Sequence, residues 1–190
     1  MLRTNTRDMP SKPSRRLAGT SAAVLATAVI GGLGTDVRSS WYRNLDKPDW
    51  QPPGAAFGPA WTTLYGLMAV ASARTLDRIE EPGERRAFAT AFGVNLALNA
   101  GWNWLFFKAH RPWLAAAECA VLVASSADLV RRTARSEPRA AAALAPYPVW
   151  CAFATALTVA IARRNPRPRG ADRLRSTALP QNRPAAEPEV

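Results

Sequence analysis

The sequence predicts an all-α membrane protein, a five transmembrane helix bundle, and three observations carry that expectation. The apolar residues of the 190-residue chain are gathered into five Ala-, Leu- and Val-rich blocks, each about long enough to cross a bilayer. Arginine clusters stand at the ends of those blocks, where membrane helices collect their positive charge. From the connector after the first block into the start of the second runs Trp41–Tyr65, with three of the seven tryptophans, two of the three tyrosines, and Pro48, Pro52, Pro53 and Pro59. Proline fixes its own φ and restricts the residue before it, so this stretch reads as a shaped lid and not as a flexible linker. The mean hydropathy of −0.15 averages the apolar blocks with two basic ends.

In chain order, residues 1–16 are polar, carry Arg3, Arg7, Lys12, Arg15 and Arg16, and are expected to form a disordered basic tail. The first span is expected over 17–37, with an uncharged core from Leu17 to Thr35. A secretory signal peptide is the competing reading, but no A-x-A site follows and further spans come later. The second block runs over 56–73 and the third over 87–107, with Pro82 and Gly83 in the turn between them. The fourth covers 112–130 and the fifth 140–162, which closes the membrane domain near residue 165; 166–190 is Pro/Arg-rich and expected to be disordered. Five spans put the termini on opposite sides. The basic loops favour an inside N-terminus, yet the arginines after the fifth span nearly level the balance and leave orientation open.

A net charge of +11 raises nucleic acid as a partner, but the arginines sit at block edges and form no stripe, so no nucleic-acid partner is expected. Cys119 and Cys151 fall inside apolar blocks and read as small buried hydrophobes. His110 is the single histidine, so no metal site is expected, and there is neither a Ser-His-Asp or Cys-His set nor a glycine-rich phosphate loop.

The third block carries a double pattern. Ala89, Gly93, Ala97 and Gly101 recur every four residues, a face on which another backbone approaches closely. Asn95, Asn99 and Asn103 recur at the same interval on the opposite face. Those asparagines suit either a polar-lined cavity or hydrogen bonds to neighbouring helices. In the fifth block Tyr147, Trp150, Ala154 and Leu157 share a face, and Pro146 and Pro148 are expected to distort its start. Trp61 and Tyr65 stand one turn apart in the second block. Packing, ligand contact and interfacial anchoring all remain open for these aromatics. Glu118 and Asp128 lie within the fourth block, where charge is costly; Asp128 has Arg131 and Arg132 within reach, and Glu118 has no such neighbour.

Over about residues 17–165 these features together resemble the TspO/MBR family of tryptophan-rich sensory and translocator proteins, the peripheral benzodiazepine receptor family. Three motifs carry the resemblance: WYRNLDKPDWQPPGAAFGPAWTTLYGLM from Trp41, LALNAGWNWLFF from Leu96, and LAPYPVWCAFATAL from Leu144, with Arg163–Asn165 after it. The resemblance implies a five-helix membrane protein, a homodimer, with a pocket under the first loop that binds a tetrapyrrole such as protoporphyrin IX. It implies that Trp61 and Trp150 are the tryptophans on which a light-dependent porphyrin breakdown would depend, and that Asn99, Trp102, Ala154 and Leu157 are pocket positions. Trp41, Trp50 and Phe57 of the lid stretch, with Tyr65 and Tyr147, complete the ligand-binding set. The small-residue face Ala89, Gly93, Ala97 and Gly101 matches a dimer contact of bacterial members. Departures stand at Val159, where the sterol-recognition motif of animal members needs Tyr before Arg163, and at Ala100, Ala55 and Thr158 in place of Trp, an aromatic and Asn. The first departs from sterol binding, and the smaller residues imply a roomier pocket.

Three functions follow as expectations: a receptor, carrier or regulator of porphyrin, needing no cofactor beyond its ligand; a light-dependent porphyrin-degrading enzyme; and, last, a regulatory scaffold working through its basic tails.

Overall fold

The computed structural model describes residues 15–166. The expected basic tails therefore lie outside the described residues, apart from Arg15, Arg16 and Pro166. The described chain is all helical: α1 (Arg15–Gly34), α2 (Ser40–Arg43), α3 (Gly54–Arg78), α4 (Pro82–Asn103), α5 (Pro112–Ser136), α6 (Pro138–Leu144) and α7 (Pro146–Arg164). A π-helical turn, Trp104–Lys108, extends α4.

Prolines set most of these boundaries. Pro82, Pro112, Pro138 and Pro146 each open a helix, where the missing N–H would have no partner anyway. The block expected as one distorted span over 140–162 is thus two helices, α6 and α7, meeting at Ala145. Pro59 lies inside α3 and leaves the carbonyl one turn earlier without its helix donor, a defect that membrane helices tolerate. The lid is ordered, with Ser39 capping the short α2 by accepting from the Tyr42 N–H.

α1 packs between α3 and α4, α5 joins α4 to α7, and α6 closes the ring against α3 and α5. Among the described residues, three helical segments are long and apolar enough to cross a membrane: α1, α5, and Pro138–Arg164 across α6 and α7. α3 and α4 have the length, 25 and 22 residues, but less apolar content. The deficit in α3 comes from Gly, Pro, Thr, Trp and Tyr in its first half, and that in α4 from Glu84, Arg85, Arg86 and three asparagines. Ion pairs fasten the ends of the bundle: Arg16 to Asp77 at 3.1 Å, Arg78 to Glu137 at 3.3 Å and Lys108 to Asp36 at 3.5 Å.

One close approach depends on glycine. A Cβ on Gly34 would stand 2.8 Å from the Trp104 ring, whose Nε1–H donates to the Ile30 carbonyl at 3.0 Å. The end of α1 and the π turn therefore meet with no space for a side chain at residue 34.

Candidate functional site

Beneath the lid lies a cavity of about 210 Å³. α3 contributes Phe57 and Trp61, α4 contributes Asn99, Trp102 and Asn103, and the π turn adds Phe106 and Phe107. Trp150, Ala154, Leu157 and Thr158 line it from α7, and Cys119 and Leu122 from α5. Thr35, Tyr42 and Gln51 meet it from the lid side. The wide π turn is what lets two consecutive phenylalanines both face inward, with Phe106 and Phe107 only 2% and 7% exposed.

The aromatic rings of the wall form two groups, one on α3 and α7 and one on α4 and the π turn. Trp61 and Trp150 meet edge to face with centroids 6.3 Å apart, and Phe57 meets Trp150 in the same way at 5.9 Å. Trp102 stacks on Phe106, one turn later, at 5.2 Å and 10°. Two polar atoms among these walls are buried without a hydrogen-bond partner, Trp102 Nε1, a donor, and Gln51 Oε1, an acceptor. Buried polar groups are nearly always paired, so these two, each on a residue of the wall, keep capacity for a ligand's polar atoms.

Not every residue of the expected ligand set reaches this cavity. Trp61, Trp102, Trp150, Phe57, Asn99, Ala154 and Leu157 line it. Trp41 and Trp50 sit one layer out. Trp41 stacks on His110 at 4.3 Å and meets Phe106 edge-on, while Trp50, 51% exposed, rests on Phe153 at 5.9 Å. Tyr65 and Tyr147 lie behind the wall, in a hydrogen-bonded chain. Tyr65 Oη donates to Asn99 Oδ1 at 2.7 Å, Asn99 Nδ2 donates to Tyr147 Oη at 3.2 Å, and Tyr147 Oη donates to Asn95 Oδ1 at 2.9 Å. Asn95 Nδ2 continues the chain to Ser125 and Ser126 Oγ at 3.1 and 3.2 Å. Both readings of the asparagine face therefore hold, at different heights: Asn95 bonds neighbouring helices, Asn103 lines the cavity, and Asn99 does both.

One sequence expectation needs correction and another needs an addition. Ala100 is absent from the cavity wall; it is buried, with its Cα 3.8 Å from where a Gly31 Cβ would be, so it sits at the α1–α4 contact and does not widen the pocket. Cys119 and Cys151, read as core hydrophobes, are indeed buried but also line the cavity. Cys151 stands one residue after Trp150 and three before Ala154, a spacing that gave the only hint of it. Thr158 does line the cavity, its hydroxyl donating to the Ala154 carbonyl at 2.7 Å.

Elsewhere, Asp128 pairs with both Arg131 and Arg132. Both carboxylate oxygens of Glu118 are buried without a partner, beside Gly101 and outside the cavity wall. The small-residue face of α4 is open, with Ala89, Gly93 and Ala97 exposed and Gly101 half-buried. No group of three or more His, Cys, Asp or Glu side chains suited to a metal ion occurs among the described residues.

Comparison with known proteins agrees with the motifs. The chain matches the sequence profile of the TspO/MBR family over residues 20–164. It is 32% identical over 143 residues to the tryptophan-rich protein TspO of Chlorobaculum tepidum, covering 75% of this chain and 90% of that protein. It is 34% identical to the tryptophan-rich sensory protein of Cereibacter sphaeroides, over 76% of this chain and 87% of that one. To the human translocator protein it is 33% identical, over 70% of this chain and 80% of that one. With its apolar helices and this match over most of its length, the chain is a multi-pass integral membrane protein and belongs to the TspO/MBR family.

Proposed function

We propose that this protein is a membrane receptor or carrier for a tetrapyrrole of the protoporphyrin IX type, built on five transmembrane helices: α1, α3, α4 with its π turn, α5, and α6 with α7. The observation that carries the reading is the cavity, lined by Phe57, Trp61, Trp102, Phe106, Phe107 and Trp150, with an unpaired donor on Trp102 and an unpaired acceptor on Gln51. A flat conjugated ring is the ligand shape that such walls cover most fully, through stacking and edge contacts. α3 and α4 count as spans by their length of 25 and 22 residues, with Trp61 and Asn99 turned to the cavity, Tyr65 and Asn95 bonded within the bundle, and Val70 and Val94 outside.

At about 210 Å³ the cavity is smaller than the roughly 300–1,000 Å³ usual for ligands of drug size, so admission of a macrocycle requires the lid to shift outward. No resident cofactor is needed; the tetrapyrrole is the ligand. The open face Ala89, Gly93, Ala97 and Gly101 supports a homodimer, since small residues let two membrane helices come together closely. A sterol is not the proposed ligand, Val159 standing where the sterol motif needs Tyr.

Tryptophan quenching by protoporphyrin IX tests the reading. Trp61→Phe and Trp150→Phe are each expected to weaken binding several-fold, and Trp113→Phe, a residue 56% exposed and outside the cavity wall, to leave it unchanged. Affinity and quenching unchanged in both cavity variants would exclude this pocket.

The edge-to-face pair Trp61–Trp150 in the wall favours a second reading, light-dependent degradation of the bound porphyrin. The macrocycle supplies the photochemistry, while the protein positions it against oxidisable indoles and excludes solvent. Illuminated samples whose product spectra match those of free porphyrin would remove this reading and leave the first intact.

A further inference from the structure

We propose that Lys47 is the anion anchor of the cavity: its ammonium, held over the Tyr42 ring by a lid pinned to α7, takes a carboxylate of a planar aromatic acid whose ring system lies inside. The proposal rests on the tetrapyrrole reading above and adds which edge of the ligand faces the lid. None of the residues lining the cavity is charged. A carboxylate carried into it would lose its hydration with no cation in exchange, so the ligand's acidic edge has to stay at the mouth.

Two of the cations at the lid end are already paired, and Arg111 and Arg163 are exposed. Lys108 is matched by Asp36 at 3.5 Å and Arg164 by Asp46 at 3.3 Å. Lys47 is different. Its Nζ lies 4.6 Å from the centroid of Tyr42, a wall residue, and donates to the Leu45 carbonyl at 3.4 Å, but it has no carboxylate partner among the described residues. Arg38 and Arg43 of the same loop are exposed to solvent, whereas Lys47 is half-buried.

The backbone at Lys47 is held in place from α7. The Asp46 N–H donates to Asn165 Oδ1 at 3.0 Å, Asn165 Nδ2 donates back to the Asp46 carbonyl at 2.9 Å, and Arg164 Nη1 donates to the Lys47 carbonyl at 3.4 Å. Arg164 also occupies the Asp46 carboxylate, which would otherwise compete for Lys47. A cation with a fixed backbone, a ring beneath it and no counterion is preorganised for an incoming anion.

The test is a titration of purified wild type, Lys47→Gln and Lys47→Arg with protoporphyrin IX and with its neutral dimethyl ester. Wild type is expected to prefer the diacid, and added salt to reduce that preference. Lys47→Gln is expected to weaken diacid binding by roughly three- to tenfold and to leave ester binding unchanged, with Lys47→Arg retaining most of the diacid affinity. Unchanged ester affinity also reports that the glutamine variant is folded. A wild type that binds diacid and ester alike, or a glutamine variant that keeps the diacid preference, overturns the anchor and leaves the cavity reading standing. Equal loss of both ligands in that variant overturns it too, by making Lys47 structural. A wild type that takes up neither ligand overturns the cavity reading and the anchor with it.

Discussion

Replacing Tyr147 with phenylalanine removes one oxygen from the centre of the bundle and should cost more than that atom suggests. Tyr147 is 0% exposed, and its hydroxyl both donates to Asn95 Oδ1 and accepts from Asn99 Nδ2. The ring remains in Tyr147→Phe, so its contact with Trp61 at 6.5 Å survives and the loss is confined to hydrogen bonding. Hydrogen bonds between membrane helices average about 0.6 kcal/mol and reach about 1.7, whereas a buried polar group left unpaired costs about 1–3 kcal/mol. The larger figure applies when the orphaned groups cannot turn to new partners. Here they cannot: Asn99 Oδ1 is held by Tyr65, and Asn95 Nδ2 by Ser125 and Ser126, so rotating either amide breaks a second bond. The expected destabilisation is about 2–3 kcal/mol, against about 1 kcal/mol for Tyr65→Phe, which removes a single donor. Reversible unfolding in mixed micelles by added denaturing detergent measures both. Equal effects, or a Tyr147→Phe loss below about 0.5 kcal/mol, would refute the argument that the amides are locked. Adding Asn95→Leu to Tyr147→Phe gives a further check, because side chains in one network should lose less together than the sum of their separate losses.

Other outcomes follow from particular contacts. Gly34→Ala should destabilise by about 1–3 kcal/mol, since the new Cβ would meet the Trp104 ring at 2.8 Å, while Gly32→Ala, with no atom within 4 Å, should be neutral in the same unfolding assay. Asn165→Ala removes two of the bonds that hold the lid at Asp46. Amide exchange over residues 45–51 should quicken by about tenfold, with faster ligand uptake, while exchange in α5 stays as in wild type.

The sequence was informative where the physics is local. Apolar block length and flanking arginines located α1 and α5 to within a few residues, apart from the C-terminal turns of α5, which run past the arginines to Ser136. Four-residue spacing placed Asn95, Asn99 and Asn103 on one face of α4 and its extension, and prolines marked helix starts. What it could not supply depends on where helices cross. Trp61 and Tyr65 are one turn apart, yet one lines the cavity and the other turns behind it to Asn99. Tyr147 and Trp150 diverge in the same way. The π turn has no local signature in Trp104–Lys108, so the inward turn of both Phe106 and Phe107 was not foreseen. Gln51 was missed for a different reason: a lone polar residue in a loop carries no signal until its oxygen is found buried and unpaired.

The two long helices that fall short on apolar content are also the two that carry Trp61, Tyr65, Asn95, Asn99 and Trp102. An asparagine facing lipid would be expensive, and one facing an apolar neighbour nearly as much so. Asn95 and Asn99 avoid both by facing one another across Tyr147, with Tyr65 and the two serines closing the ends of the chain. That pairing works in only one register of α4 against α3, α5 and α7, because a one-residue slip rotates each amide by roughly 100° away from its partner. The network that lowers the hydropathy of these helices therefore also fixes their alignment. Asn99, bonded on the far side and open to the cavity on the near side, makes that alignment set the shape of the ligand wall. Loosening the network should thus reach the cavity through Asn99, so Tyr147→Phe should weaken protoporphyrin IX binding although residue 147 itself does not line the pocket. Stability lost with affinity fully retained would separate the two and show that the wall is set by its aromatic contacts alone.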